Sequence, residues 1–222
     1  MIPNRIQVIV CGAGGFGREV AWLADVSSGS EDRYDVVCFA DDAPENRGKV
    51  LNGIEVMDWE TARQRFPEAL VVVAIGSPQT RERVAARAAA AGFRGATLVH
   101  PRVERSRWLE IGEGTVICAG SILTTNIRLG AHVQINLDCT LGHDVVMGDY
   151  ATLAPGVHLS GYVQLGRRVY VGTGAVIING DGSAPLVVGD DAVIGAGACV
   201  IRPVPPGATV VGVPAKEVGK RP

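Results

Sequence analysis

Gly12-Ala13-Gly14-Gly15-Phe16-Gly17 follows the apolar run Gln7-Val8-Ile9-Val10 and precedes Arg18 to Val26, where Val20, Leu23 and Ala24 fall on one helical face. Glycines at that spacing permit a tight turn after a strand, and they let backbone N–H groups and a helix N-terminus meet a pyrophosphate. A dinucleotide site would also want an acid at the end of the second strand for a ribose, and Asp41 and Asp42 end the apolar segment Val36 to Ala40. Three uses of the turn stay open: NAD, another nucleotide, or plain packing of a helix on a sheet. The unit has room for only about four strands, which is short for NAD and favours another nucleotide.

His143 beside Asp144 is the second pair with chemistry in it. An unperturbed imidazole titrates close to neutral pH and can act as a general base, and an adjacent carboxylate can raise its basicity or fix its tautomer. Neighbouring side chains on a strand point to opposite faces, so the acid would have to act from a corner. His132 and His158 do not extend this pair into a metal site, because the three histidines hold different places in the repeat described below and should not share an edge. No metal is expected. Cys11, Cys38, Cys118, Cys139 and Cys199 are odd in number, scattered and without a CxxC spacing, which argues against a disulfide framework or thiolate zinc and for a reduced, cytoplasmic setting.

Two kinds of element must position these residues. Before about residue 102, strands at Gln7 to Val10, Val36 to Ala40, Leu70 to Ile75 and Ala96 to Val99 alternate with helices at Arg18 to Val26 and Thr80 to Ala91, the pattern of a small Rossmann-like parallel sheet that binds ligands at the carboxyl ends of its strands. After it, Ile111, Ile117, Leu123, Leu129, Ile135, Leu141, Met147, Leu153, Leu159, Leu165 and Val171 stand six residues apart, each followed by a small residue. The frame breaks from Ile177 to Val187 and resumes at Val188-Gly189 and Ile194-Gly195. One aliphatic per hexad paints no helical stripe, and a Gly or Pro in nearly every unit would cost a helix about 1 kcal/mol or more each. Small or β-branched residues at the fifth places, from Thr115 and Ser121 to Val169 and Ala175, suit short flat strands with tight corners. The expected fold is an α/β domain over 1–102 followed by an all-β segment over 103–222 that resembles a hexapeptide-repeat parallel β-helix, in which three hexads make a coil of about eighteen residues.

Composition narrows the function. The 222 residues are 47% hydrophobic and 20% charged with a formal net charge of −2, and the cations are dispersed apart from a short Lys216 to Arg221 tail, so no nucleic-acid surface is expected. No run approaches a membrane span, and the first residues lack a signal-peptide layout.

Taken together, the GAGGFG turn, FADD at the second strand, AIGS at the third, LVHP at the junction, Gly142-His143-Asp144 within the hexads and a terminal Val211-Gly212-Val213-Pro214-Ala215-Lys216 resemble the bacterial hexapeptide-repeat sugar acetyltransferase family. That family includes sialic acid O-acetyltransferases and N-acetyltransferases of nucleotide-linked 4-amino-6-deoxy sugars. The resemblance implies a left hand for the β-helix, acetyl-CoA as co-substrate, and a homotrimer with active sites between neighbouring β-helices. It carries the catalytic base onto His143 and its acidic companion onto Asp144. Gly14, Gly15, Phe16, Asp41, Asp42 and Gly76 become the binders of a nucleotide-sugar, with Asn136 as a further substrate hydrogen-bonder. Gly161, one coil from His143, is expected to leave space for the pantetheine arm of the coenzyme, while Thr173, Ala196 and Lys216 are expected to hold the coenzyme itself. Some members carry a second histidine nine residues after the base, where this chain has Thr152. The implied activity is transfer of acetyl to the 4-amino group of a nucleotide-linked amino-deoxy sugar. O-acetylation of a sialic-acid-type sugar, or a non-catalytic nucleotide-sugar sensor, are the alternatives.

Overall fold

The computed structural model of the protein describes residues 4–27 and 32–219. Lys220 and Arg221 of the basic tail lie outside these residues. The chain forms two compact units, 1–101 and 102–222.

In the first unit, β1 (Asn4–Cys11) leads through the glycine turn into α1 (Gly15–Val26), then β2 (Asp32–Ala40), β3 (Val50–Leu51), β4 (Ile54–Met57), α2 (Trp59–Arg65), β5 (Leu70–Val73), α3 (Pro78–Ala90) and the short β6 (Leu98–Val99). The sheet order is β3-β4-β2-β1-β5, parallel except for the β3–β4 pair. β1 is its centre: Val8, Ile9 and Val10 are fully buried between neighbours that are themselves apolar, as a strand covered on both faces requires. Val20, Leu23 and Ala24 of α1 are buried as the helical face predicts, and α1 begins at Gly15, earlier than Arg18. The β3–β4 hairpin and α2 do not appear in the sequence reading. Asn52-Gly53, both at positive φ (52° and 83°), is the turn signal that marks the hairpin.

The second unit is a three-sided parallel coil. Each strand pairs with the strand three places on, as in Gln134 with Thr152 and Thr140 with His158, eighteen residues apart. Each hexad turns two side chains inward, at its first and fifth places: Val133 and Ile135, Cys139 and Leu141, Val145 and Met147, Ala151 and Leu153 are all at or near zero exposure. The chain turns between them at the fourth place, which takes the left-handed conformation in Asn126, His132, Asp138, Asp144, Tyr150, Tyr162 and Arg168. Where the hexad frame breaks, the coil widens without losing register. Val163 pairs with Leu186, twenty-three residues on, and the additional residues form a loop at 178–185 closed by Asp181, whose Oδ1 accepts from Ser183 and Ala184. Lys216–Val218 ends the described chain as a strand antiparallel to Thr209–Val211.

Candidate functional site: a pocket at the glycine turn and a histidine corner

A cavity of about 490 Å³ opens at the carboxyl ends of β1, β2 and β5, and Gly14, Gly15, Phe16, Asp41, Asp42 and Gly76 all line it. The glycines of the turn divide by role. Gly12 sits at φ +106°, where a side chain would press on the Ala74 carbonyl, and a Cβ on Gly17 would collide with the Gly12 carbonyl, so these two are needed for close packing. Gly14 and Gly15 face open space. Gly14 caps α1 without a side-chain acceptor, which leaves the first-turn N–H groups available to an anion at the cavity wall.

The two aspartates also differ. Asp41 Oδ2 accepts from the Ala13 N–H at 2.9 Å and from Asn46 Nδ2 at 3.2 Å, while Oδ1 accepts from the Ala43 N–H at 2.9 Å. Both oxygens thus tie the glycine turn to the loop after β2, and the expected ribose contact is a strut as well. Asp42 accepts from the Trp59 N–H at 3.0 Å and pairs with Arg87, whose guanidinium lies 5.5 Å from the Trp59 ring centroid. Partial burial pushes the Asp42 carboxyl up, but the Trp59 N–H and the Arg87 guanidinium outweigh it and hold the group below the usual carboxylate range. Buried Arg81 donates to the carbonyls of Ile75 (2.8 Å) and Gly76 (3.4 Å) and so shapes the third wall.

In the second unit, the local fold answers how two adjacent residues can meet. Asp144 turns back at φ +58°, so its side chain leaves the corner beside that of His143, and His143 Nδ1 lies 2.9 Å from Asp144 Oδ2. The imidazole is half-exposed (55%). The hydrogen bond with His143, joined by those from Asn126 and Tyr162, keeps the Asp144 carboxyl below its ordinary range, so it is an acceptor at neutral pH. The Tyr162 ring meets the imidazole edge-on at 5.0 Å between centroids. A Cβ on Gly161 would come within 2.5 Å of His143 Cε1 and Nε2, so the glycine gives room to the imidazole. The loop at 178–185 joins the same corner, where the Gly180 N–H donates to the Gly161 carbonyl. On the Asp144 side, a groove of about 510 Å³ is lined by Arg107, Trp108, Glu110, Asn126, Arg128 and Asp144 among others.

The remaining residues sit elsewhere on the coil. Asn136, Thr173 and Ala196 belong to a different corner: Gly172 packs against the backbone of Ala196, and the Asn136 amide donates to the Leu153 carbonyl at 2.7 Å, serving the ladder. Thr173, Ala196 and Lys216 are exposed. Within one chain they are not brought together with His143. His132 stacks on Tyr150 (5.4 Å, 3°) and His158 meets Thr140 (2.8 Å), so neither joins the corner. Among the described residues no group of three or more His, Cys, Asp or Glu is arranged to hold a metal ion.

Residues 7–88 match the family model of the PglD N-terminal domain. Over 215 residues, covering 96% of both chains, the protein is 34% identical to GDP-perosamine N-acetyltransferase of Escherichia coli O157:H7. The chain belongs to the bacterial sugar acetyltransferase family. Among solved structures it is similar to WeeI from Acinetobacter baumannii AYE, with a TM-score of 0.88 at 33% identity over 97% of this chain and all of that one. It is also similar to PerB from Caulobacter crescentus in complex with CoA and GDP-perosamine, with a TM-score of 0.85 at 27% identity over 99% of both.

Two features of this acetyltransferase were not legible from spacing. Arg87 and Trp59 line the glycine-turn cavity from α3 and α2, helices that reach it only through packing on the sheet. Cys139, close in sequence to His143, is not poised as a competing nucleophile: burial raises its thiol to about 11, and its Sγ faces the Ala154 carbonyl at 3.3 Å. Burial likewise raises Cys11 and Cys38 to about 12. Among the described residues no helix is long and apolar enough to cross a membrane.

Proposed function

We propose that the protein transfers acetyl from acetyl-CoA to the 4-amino group of a nucleotide-linked amino-deoxy sugar, with the 1–102 domain holding the nucleotide and the 103–222 domain, a left-handed parallel β-helix, performing the transfer. The observation that carries the reading is the corner at His143: a half-exposed imidazole with one nitrogen fixed on a carboxylate held in its charged form. The end-to-end likeness to a structure bound to CoA and GDP-perosamine supports the same substrates here.

Asp144 accepts the Nδ1–H of His143, which selects the tautomer whose Nε2 is basic. His143 Nε2 then takes the proton from the sugar nitrogen as that nitrogen attacks the thioester carbonyl. A backbone N–H steadies the developing oxyanion, the carbon–sulfur bond breaks, and the thiol of coenzyme A leaves with the proton returned to sulfur. No covalent acyl-enzyme is needed. The cavity at the glycine turn holds the nucleotide, so the amine takes part as a piece of a bound substrate, an entropic advantage over free encounter.

A homotrimer completes the site in this reading. Asn136, Thr173 and Ala196 lie on a different corner from His143, so acetyl-CoA held by Thr173, Ala196 and Lys216 of one copy would meet the base of another. Exposed apolar side chains on the coil, including Ile122, Val176, Val187 and Val193, favour such packing. The scattered free cysteines suit a reduced, cytoplasmic enzyme.

Turnover of acetyl-CoA with a panel of nucleotide-linked amino sugars and their hydroxyl counterparts tests the proposal. Acetylation of a 4-amino sugar at the nitrogen is the expected result. Transfer to hydroxyl acceptors only, or nucleotide-sugar binding without turnover, would replace it.

A further inference from the structure

Asp144 is held by more than its neighbour. Asn126, one coil earlier at the same corner, donates from Nδ2 to Asp144 Oδ1 at 3.3 Å, while Oδ2 faces His143 Nδ1 at 2.9 Å. Tyr162, one coil later, also helps to hold the same carboxyl in its charged form. The three residues occupy the same left-handed place in successive coils, at φ 56°, 58° and 56°. Their spacing is set by the backbone ladder, in which the Asp144 N–H donates to the Thr125 carbonyl at 3.1 Å and the Tyr162 N–H to the His143 carbonyl at 3.0 Å. Tyr162 also places its ring against the edge of the imidazole.

A carboxylate at an exposed corner is free to rotate about its Cβ–Cγ bond unless both oxygens are engaged. Here an amide arrives from the coil before and the imidazole from the adjacent residue, while the coil after sets the Tyr162 side chain against that imidazole. The plane of the carboxylate is thereby set, and with it the direction in which the imidazole presents its second nitrogen. We propose that Asn126 and Tyr162 are positioning residues that act on the base through Asp144, an inference that rests on the proposed role of His143. Corner geometry alone does not ask for them: glycine takes the same left-handed place at Gly120, Gly156 and Gly174, so the amide and the phenol are supplied for their side chains.

That equivalence supplies a clean variant. Asn126→Gly removes the amide where glycine meets no backbone penalty, and Tyr162→Phe removes the hydroxyl while keeping the ring against the imidazole. Each should lower kcat about three- to tenfold, the size expected for loss of one orienting hydrogen bond at a solvent-exposed corner, with both KM values and the melting temperature unchanged. In an Asp144→Asn background, Asn126→Gly should lower kcat no further, because its effect runs through the carboxylate. Full activity in both single variants, a loss that persists undiminished in the Asp144→Asn background, or a loss that tracks unfolding in both variants would overturn the proposal. His143→Ala, measured alongside, separates the two levels: if it abolishes turnover while Asn126→Gly and Tyr162→Phe do not reduce it, only the positioning role falls. If His143→Ala itself keeps turnover, the base assignment falls and takes the positioning role with it.

Discussion

Replacing Gly161 with alanine should damage catalysis far more than stability. The new Cβ would stand 2.5 Å from both Cε1 and Nε2 of His143 and 3.0 Å from Cδ2. Ordinary carbon contacts begin near 3.5 Å, so the ring must retreat by about 1 Å. It can do so cheaply, because more than half of the side chain is in water and the backbone at Gly161 is not in the left-handed region that penalises alanine. The retreat, however, is incompatible with holding Nδ1 at 2.9 Å from Asp144 and with presenting Nε2 along the same line. A displacement of about 1 Å in a catalytic group can cost about 10²-fold in rate. The expected result is kcat lower by about 10- to 100-fold, with the stability change within about 1 kcal/mol and acetyl-CoA affinity retained. Release of the coenzyme thiol under saturating acceptor measures the first, and a urea melt the second. Wild-type kcat in Gly161→Ala, or a large loss of stability with normal kcat in the surviving fold, would refute the argument that this glycine exists to seat the imidazole.

His143→Ala or His143→Asn should lower kcat by about 10²- to 10⁴-fold with the assembly intact by light scattering, the usual cost of removing a general base. Asp144→Asn should cost less and move the acidic limb of the pH–rate profile to lower pH, since loss of a negative charge beside an imidazole makes it harder to protonate. Asp41→Ala should raise the acceptor KM and also destabilise by about 1–3 kcal/mol, because it strips acceptors from the Ala13 and Ala43 N–H groups, and a urea midpoint alongside the kinetics checks both effects. The depressed Asp42 carboxyl binds a proton less readily folded than unfolded, so its stabilisation is complete above the unfolded value of about 4 and fades as pH falls through the folded one. Arg87→Gln should therefore flatten the acid side of the stability profile, read from urea midpoints across about pH 5 to pH 2.

The glycine turn and Asp41-Asp42 mark the cavity at the strand ends in the sequence because strand ends and tight turns are local: a few consecutive residues decide them, and all six residues expected there line one cavity. The hexad period likewise tells which side chains go inward, since burial of the first and fifth places follows from a coil that repeats every eighteen residues. Asn52-Gly53 carried a readable hairpin signal as well. Arg87 is different. It stands forty-five residues from Asp42, and only the packing of α3 on the sheet brings the two together over Trp59.

The tertiary structure also decided what the local residues are used for. Asp41 spends both oxygens on holding the turn, Asn136 gives its amide to the ladder, and Gly161 makes room for the imidazole. Asp144 reaches His143 because the corner folds into the left-handed region, which alternation along a strand would not allow. Asn126 meets that carboxylate from the coil before, and Tyr162 meets the imidazole from the coil after. Period and composition determine inside from outside, because burying apolar surface depends on pattern. Which polar atoms meet depends on the angle of each corner and the register between coils, and those exist only once the chain has wound.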